Sequence, residues 1–544
     1  MTINKEKYLN GGEPSEEQVK LCEFAAHGLG NAIVQARAGC GKSKTIELMC
    51  SVVHPRKKIL VLAYNRHIAE SLGPKMERMA KDGNRVIDVY TYHQLGLKIL
   101  HAKVHNKNLL NLDERKYEKY INDNIDYLSC GIYDWLSPLK RLKYKKNIIN
   151  LVDYVRFNKM QSVVEIVGVA SKYGINLIEN ECAVVESVLK WGKTHLETID
   201  FTDMIWLPYE LGIKANILNV QYDLIFIDEA QDSSLIQQDL IEICRYRKTR
   251  MFIFGDENQT INAWCGADDD AFGNFEKLGN TTLFTLNTSY RCSQAVADHV
   301  RELIPDFKTP PTAVEGSVNH NVSFTNINVG DMVLCRITSP LIKLHLQLLK
   351  IGIPSKVIGH NIGVELIEII EKPKCDDMEC VIDSMYNELF DIWERKAKEN
   401  DCQLKDVVMD GSIIGKYDEI LCMEAAADGL IDREDVISRL EEMFEDESNI
   451  DDFGRNTVLL STVHRAKGLE SDNVFILCPS LMPSMLAKTE EELKGESNIM
   501  YVARSRAKVT LNYITEKEFP PTLSYLGSEN IYRELKGKYD EKRR

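Results

Sequence analysis

The sequence predicts an α/β fold of parallel sheets flanked by helices, and three observations carry that expectation. Apolar runs at residues 31–35, 58–63, 86–90, 222–227 and 250–254 each read as a buried strand. Stretches with helical spacing separate most of them, and strand–helix alternation points to parallel pairing. The rhythm returns in the second half with Val333-Leu334-Cys335-Arg336 and the run 458–463.

At 544 residues the chain is long enough for several domains and a sizeable core. No run of about 18 apolar residues suggests a membrane span. The polar start Met1–Lys7 lacks the apolar core of a signal peptide. Fourteen scattered cysteines fit reduced thiols in a cytoplasm. Cys375 and Cys380 are the closest pair, and no second pair or histidine completes a zinc pattern. The net charge of −15 weighs mildly against a general polyanion binder but leaves room for a local basic groove.

The first strand runs into Ala36-Arg37-Ala38-Gly39-Cys40-Gly41-Lys42-Ser43, followed by Lys44 and a helical stretch from Thr45. Glycines there let backbone N–H groups converge on an anion, and the helix N-terminus adds a favourable dipole. Lys42 is expected to reach the β- and γ-phosphates of a nucleotide and Ser43 to hold Mg²⁺. Ala36 stands where the motif's first glycine is usual. Upstream, Ser15 and Gln18 have the spacing of a capping box; with equal weight, the Gln18 amide is suited to an adenine edge.

Strand 222–227 ends in Asp228-Glu229-Ala230-Gln231-Asp232. Asp228 is expected to hold Mg²⁺ through water and Glu229 to polarise an attacking water. The bland alternative is that both carboxylates cap the next helix. Strand 250–254 leads into Gly255–Gly266, where Gln259 is a candidate γ-phosphate sensor. Trp264, in the same loop, offers a face to a base, worth about 1–3 kcal/mol. The strand ends Tyr64-Asn65-Arg66-His67 and Thr91-Tyr92-His93 suggest a surface for a sugar-phosphate chain, because parallel sheets bind ligands at carboxyl ends.

Residues 104–195 lose the alternation and read as helical. They contain Lys140-Arg141-Leu142-Lys143-Tyr144-Lys145-Lys146, a basic run that is either a solvated face or a nucleic-acid contact. A second insertion, 361–455, is acidic and helical, and the charged tail Lys536–Arg544 is expected to fray. Residues 1–103 with 196–278 then make a first domain, and 279–360 with 456–520 a second. The tail is 521–544. Ser289-Tyr290-Arg291 precedes a helix, the run 458–463 leads into His464–Glu470, and 499–508 reads as helical.

In chain order the motifs are Gln18, the phosphate loop, Tyr64-Asn65-Arg66, Thr91-Tyr92-His93 and Asp200-Phe201-Thr202-Asp203. Asp228–Asp232, Gly255–Gly266, Ser289-Tyr290-Arg291, Thr462–Glu470 and Tyr501–Ala507 follow. This order resembles the UvrD/Rep/PcrA group of superfamily 1 DNA helicases. The resemblance implies two RecA-like P-loop NTPase motor domains, each with a mainly helical insertion, with ATP and Mg²⁺ between them and single-stranded DNA across their top. It implies that Ala36–Lys44 cradle the nucleotide, that Tyr290 stacks on adenine and that Glu470 meets the ribose. Arg291 and Arg506 would clamp the γ-phosphate; Arg504 lies about 200° from Arg506 on a helix and ranks below it. Tyr64, Asn65, Thr91, His93, Trp264 and His464 would touch DNA.

The implied activity is ATP-driven movement, 3′→5′, on single-stranded DNA with unwinding at single-strand/duplex junctions, by a cytoplasmic monomer or weak oligomer. The alternative is a DNA-stimulated ATPase that remodels DNA-bound proteins without processive unwinding. A small-molecule kinase would leave Gln259, Trp264, Arg291 and Arg506 without roles. The chain departs from the family at Asn262, usually tyrosine, and Cys265, usually arginine. Ser471 replaces an aromatic and Asn498 an arginine, and the second insertion is much shorter than in large members.

Overall fold

The computed structural model describes residues 13–64, 66–104, 110–159, 162–173, 175, 177–178, 180–218, 220–261, 271–373, 377–407, 410–445, 456–519 and 528–542. The chain divides into two units, Met1–Asn287 and Thr288–Arg544.

In the first unit, strands β1 (Asn31–Ala36), β2 (Lys58–Ala63) and β3 (Val86–Thr91) precede two short strands, β4 (Asn111–Leu112) and β5 (Thr198–Ile199). Then come β6 (Leu224–Ile227), β7 (Arg250–Gly255) and β8 (Thr281–Leu286). The six longer strands form one sheet in the order β3-β2-β6-β7-β1-β8, with parallel pairing throughout. Successive residues feed opposite faces. Val34, Val61, Phe226 and Phe252 pack into one core, while Ile33, Leu60, Ile225 and Ile253 pack into another. Helices cover both faces, so the strands read as continuous apolar runs instead of alternating ones.

β8 pairs with β1 from Asn31↔Thr281 to Ala36↔Leu286, so residues 281–286, expected in the second domain, belong to the first sheet. Helices Lys116–Leu128, Pro138–Asn158, Val163–Lys172 and Glu181–Thr194 fill the insertion between β3 and β6. Within the basic run Tyr144 is fully buried, which ties that helix to the core. Arg156, at the far end of the same helix, donates to Asp200 and Asp203, and Lys116 Nζ lies 2.6 Å from Asp203 Oδ2. Asp200 also caps helix Phe201–Glu210.

The second unit carries β9 (Ser317–Val322), β10 (Met332–Cys335), β11 (Ser355–Ile358), β12 (Phe444–Glu445), β13 (Val458–Thr462), β14 (Ser471–Ile476) and β15 (Ala507–Ile514). They form a parallel sheet ordered β12-β11-β13-β10-β14-β15-β9. Between β11 and β12 stand helices His360–Glu371, Met378–Glu399, Gly411–Ala426 and Arg433–Met443.

Two expectations are corrected in this unit. Helix Glu490–Arg504 stops with Ser505 as its C-cap and β15 starts at Ala507, so 499–508 is not one helix and Arg506 lies in the turn. The tail does not fray from Lys536, because Ser528–Lys542 is helical. Leu535 is fully buried, Tyr532 and Tyr539 meet Trp393, and Lys538 pairs with Glu424 at 2.7 Å. Apolar residues at i, i+3 and i+7 give this charged helix a stripe that the insertion covers. Among the described residues no helix is long and apolar enough to cross a membrane.

Candidate active site

The loop after β1 turns through Gly39 and Gly41, whose φ angles of 72° and 77° are left-handed. A Cβ on Gly41 would meet nothing nearer than Gln18 Nε2 at 3.6 Å, so backbone conformation and not space demands glycine there. Helix Lys42–Val52 starts with Gly41 as its N-cap and makes no side-chain cap bond. A helix start whose amides lack a capping oxygen suits a phosphate.

Lys42 Nζ lies 2.5 Å from Glu229 Oε1. Burial opposes the Lys42 ammonium, but Glu229 and then Asp228 outweigh it and hold its pKa above the ordinary lysine value. Asp228 is buried at the end of β6, and burial followed by the Glu229 charge pushes its pKa up to about 7, against the pull of Lys42. Glu229 itself sits at φ 50°, a left-handed conformation that costs a non-glycine residue about 1–3 kcal/mol and tends to mark functional sites. Glu229 holds the N-cap position of the 3-10 turn Ala230–Asp232 but makes no side-chain cap bond, and helix Leu235–Cys244 is capped by Ser234 and Gln237, so Glu229 caps neither with its carboxylate.

Gln231 and Asp256 link the strand ends, although the sequence reading assigned neither a role. Gln231 Nε2 donates to Glu229 Oε2 at 2.7 Å, and Asp256 N–H donates to Gln231 Oε1 at 3.1 Å. Asp256, fully buried just past β7, accepts from Gln259 Nε2 at 2.8 Å and pairs with Arg37 at 3.0 Å. Asp256 stands immediately after β7 and Gln231 four residues past β6, in the 3-10 turn Ala230–Asp232, and that polar punctuation after apolar strands was their only signal.

Gln18 shows its capping role: Ser15 and Gln18 bond reciprocally at the start of helix Glu16–His27. Its Nε2 also donates to Thr45 Oγ1 at 3.0 Å, which sets the amide beside the phosphate loop. The residues fit Mg²⁺–ATP. The uncapped helix start and Lys42 suit phosphates, Ser43 is in that helix's first turn, and a buried carboxyl raised toward neutrality by a neighbouring carboxylate gains from a divalent cation. Mg²⁺ needs only one or two protein carboxylates besides phosphates and water.

Tyr64 follows β2, and Thr91 ends β3 directly beside Ala63. Thr91 is buried; its N–H donates to Gln94 Oε1 at 2.9 Å, and its Oγ1 accepts from Gln94 N at 3.3 Å. The His93 ring meets Phe201 edge-on at 5.9 Å, and burial lowers its pKa. Phe201 is 44% exposed there, and the sequence gives it no role beyond its place in the motif Asp200–Asp203. Asn65, Asn262, Trp264 and Cys265 lie outside the described residues.

In the second unit Tyr290 is 51% exposed. Arg291 pairs with Glu470 at 2.6 Å, and Lys508 meets the same carboxylate at 3.0 Å. Burial alone would raise the Glu470 pKa, but Arg291 and Lys508 bring it below the ordinary value. Arg506 is buried and donates to the Val502 and Leu469 carbonyls, whereas Arg504 turns to Glu302 and the His299 carbonyl. His464 follows β13; burial, with Arg336 nearby, lowers its pKa to about 4 and keeps the ring neutral. Ser471 opens β14, and Asn498 is buried.

A glycine turn, a lysine at a helix start and an acidic pair at the ends of a parallel sheet define the first unit as a P-loop nucleotide-binding fold. The description "UvrD/REP helicase N-terminal domain" matches residues 17–279, and "UvrD-like helicase C-terminal domain" matches 432–518. Together these stretches cover more than half of the chain, which belongs to the UvrD-like family of superfamily 1 helicases.

The chain is similar to a probable DNA helicase II homolog of Mycoplasma pneumoniae, with 23% identity over 305 residues, 53% of this chain and 42% of the relative. ATP-dependent DNA helicase PcrA of Leuconostoc citreum is 24% identical over 288 residues, 49% of this chain and 36% of the relative. PcrA of Staphylococcus aureus (strain Mu50) is 21% identical over 294 residues, 51% of this chain and 38% of the relative. The matches span less than half the length of these relatives.

Proposed function

We propose that this chain is an ATP-dependent DNA helicase or translocase. It moves 3′→5′ on single-stranded DNA and separates duplex at single-strand/duplex junctions. The observation that carries this reading is the Lys42–Glu229 ion pair beside buried Asp228, at the ends of parallel strands. Bound Mg²⁺ supplies Lewis-acid charge to the phosphoryl group being transferred. Ser43 and Asp228 are its proposed holders. Lys42 neutralises β- and γ-phosphate oxygens, Glu229 orients a water and takes up its proton, and Gln259, anchored on Asp256, senses the γ-phosphate.

Gln18 and Tyr290 are the proposed adenine contacts and Glu470 the ribose contact. Arg291 and Arg506 add positive charge at the γ-phosphate, where phosphoryl transfer gains most from cations. Tyr64, Asn65, Thr91, His93, Trp264 and His464 are the proposed strand contacts.

ATP hydrolysis with and without a single strand tests the site, and strand displacement on duplexes with a 3′ or a 5′ tail tests the movement. Strand-stimulated hydrolysis that survives Lys42→Ala overturns the site. Unwinding that starts equally well from either tail overturns the polarity. Asn262 and Cys265, where the family usually has tyrosine and arginine, motivate one competitor, a DNA-stimulated ATPase that remodels bound proteins; robust unwinding removes it.

A further inference from the structure

The basic run that the nucleotide site leaves unused belongs to a corner of the first unit. A four-residue helix, Ile132–Trp135, precedes helix Pro138–Asn158 there. Trp135 is 91% exposed, the highest value among the large apolar side chains described. An indole left in water forgoes the burial of about 150–250 Å² that an aromatic side chain commonly gains.

The corner is built to hold it there. Arg141 donates through Nε to the Leu136 carbonyl at 3.1 Å and through Nη2 to the Asp134 carbonyl at 2.6 Å. One guanidinium thus braces the backbone on both sides of Trp135. Arg141 and Lys145, one helical turn apart, both lie over the Tyr133 ring, at 5.1 and 5.2 Å. Lys140 and Lys146 are exposed on the same helix, and no acid interrupts 140–146. Asp134 Oδ1 lies 4.0 Å from Arg141 Nη2.

We propose that this corner is a second contact for an unpaired nucleic-acid strand, with a base stacked on Trp135 and phosphates on Lys140 and Lys145. The inference rests on the helicase reading above. An exposed aromatic face among cations is how proteins hold single strands without reading sequence. In a chain of net charge −15, a cationic run that no acid interrupts is where a polyanion is drawn. A duplex keeps its bases stacked internally and would use only the lysines.

The corner is also far enough from the strand ends to be a separate grip. Arg141 and Arg156 are fifteen residues apart on one helix, about 22 Å at 1.5 Å per residue. Arg156 is bonded to Asp200, the cap of the helix whose first residue, Phe201, meets His93.

The experiment uses the full chain and measures binding of long and progressively shorter oligothymidylates, with strand-free ATP hydrolysis as a control for folding. Trp135→Ala weakens the long strand about tenfold and leaves duplex binding and strand-free hydrolysis unchanged, while Trp135→Tyr restores most of the loss. Lys140→Gln with Lys145→Gln lowers the slope of log affinity against log salt by about 1.4, two phosphates at roughly 0.7 each. The shortest strands, held by the strand ends alone, bind all variants equally.

Unchanged affinity in Trp135→Ala, or equal losses for single strand and duplex, overturns the proposal while leaving the helicase reading intact. A wild-type chain that binds no strand and hydrolyses no ATP overturns that reading, and this inference with it.

Discussion

Lys42 Nζ and Glu229 Oε1, 187 residues apart in sequence, lie 2.5 Å from each other. The pair spans from the start of the helix after β1 to the second residue after β6, across β7, which lies between those strands in the sheet. Gln231 and Asp256 complete the bridge at the end of β7.

Lys42→Ala should reduce ATP turnover at least about 100-fold, the scale for losing one preorganised charge at a transition state. Glu229 keeps 18% side-chain exposure, so its lost partner should cost only about 1 kcal/mol of stability. Steady-state hydrolysis beside a urea melt checks both; a chain that unfolds outright would show the lysine to be structural.

Glu229→Gln should move the Asp228 ionisation toward acid. Burial and then the Glu229 charge raise that pKa from 3.8 to about 7. The folded value exceeds the unfolded one, so the stability that protonated Asp228 contributes is full below 3.8 and is lost as pH rises through 7. Removing the neighbouring charge shrinks that loss. Mn²⁺–nucleotide affinity measured from pH 5.5 to 8 should accordingly reach its plateau at lower pH in the variant than in the wild type.

Arg156→Met should destabilise the first unit by about 3–5 kcal/mol, because it strands buried Asp200 without its cation and leaves Asp203 with Lys116 alone. The urea midpoint of the full chain is the readout. Adding Asp200→Asn to the same chain should recover part of the loss; no recovery would mean that packing, not charge, dominates.

His345 should make the second unit acid-sensitive. The imidazole is buried against Ser355, with Nδ1 2.9 Å from Ser355 Oγ. Burial, then Lys356, lowers its pKa from 6.5 to about 4. The folded value lies below the unfolded one, so its contribution is full above pH 6.5 and is lost as pH falls toward 4. At about 1.36 kcal/mol per pH unit, the loss is at most about 3 kcal/mol. Thermal melts between pH 7 and 4.5 should show it, and His345→Leu should flatten the curve.

The loop Ala36–Ser43 and the pair Asp228–Glu229 were legible in the sequence because their signals are local. Gly39 and Gly41 are needed for left-handed turns, and an acid directly after a buried apolar run has few other uses. Gln18 left two readings open, and the structure shows the capping bonds while also setting its amide beside the loop. Arg506 was named from its motif, but the helix used to rank it above Arg504 ends before it. The tail's charge suggested fraying and masked the stripe formed by Tyr532, Leu535 and Tyr539.

The sequence by itself determined strands β1, β2, β3, β6, β7, β10 and β13, the phosphate loop and the acidic pair, because apolar runs, glycine turns and helix starts depend on near neighbours. Tertiary structure alone decided that β8 joins the first sheet, that β7 separates β1 from β6 and that Asp256 takes Arg37 and Gln259 as partners. It also decided that Arg156 would be buried against Asp200 and Asp203. Those partners come from segments far apart in the chain, and strand order, which composition and periodicity do not encode, brings them within bonding distance.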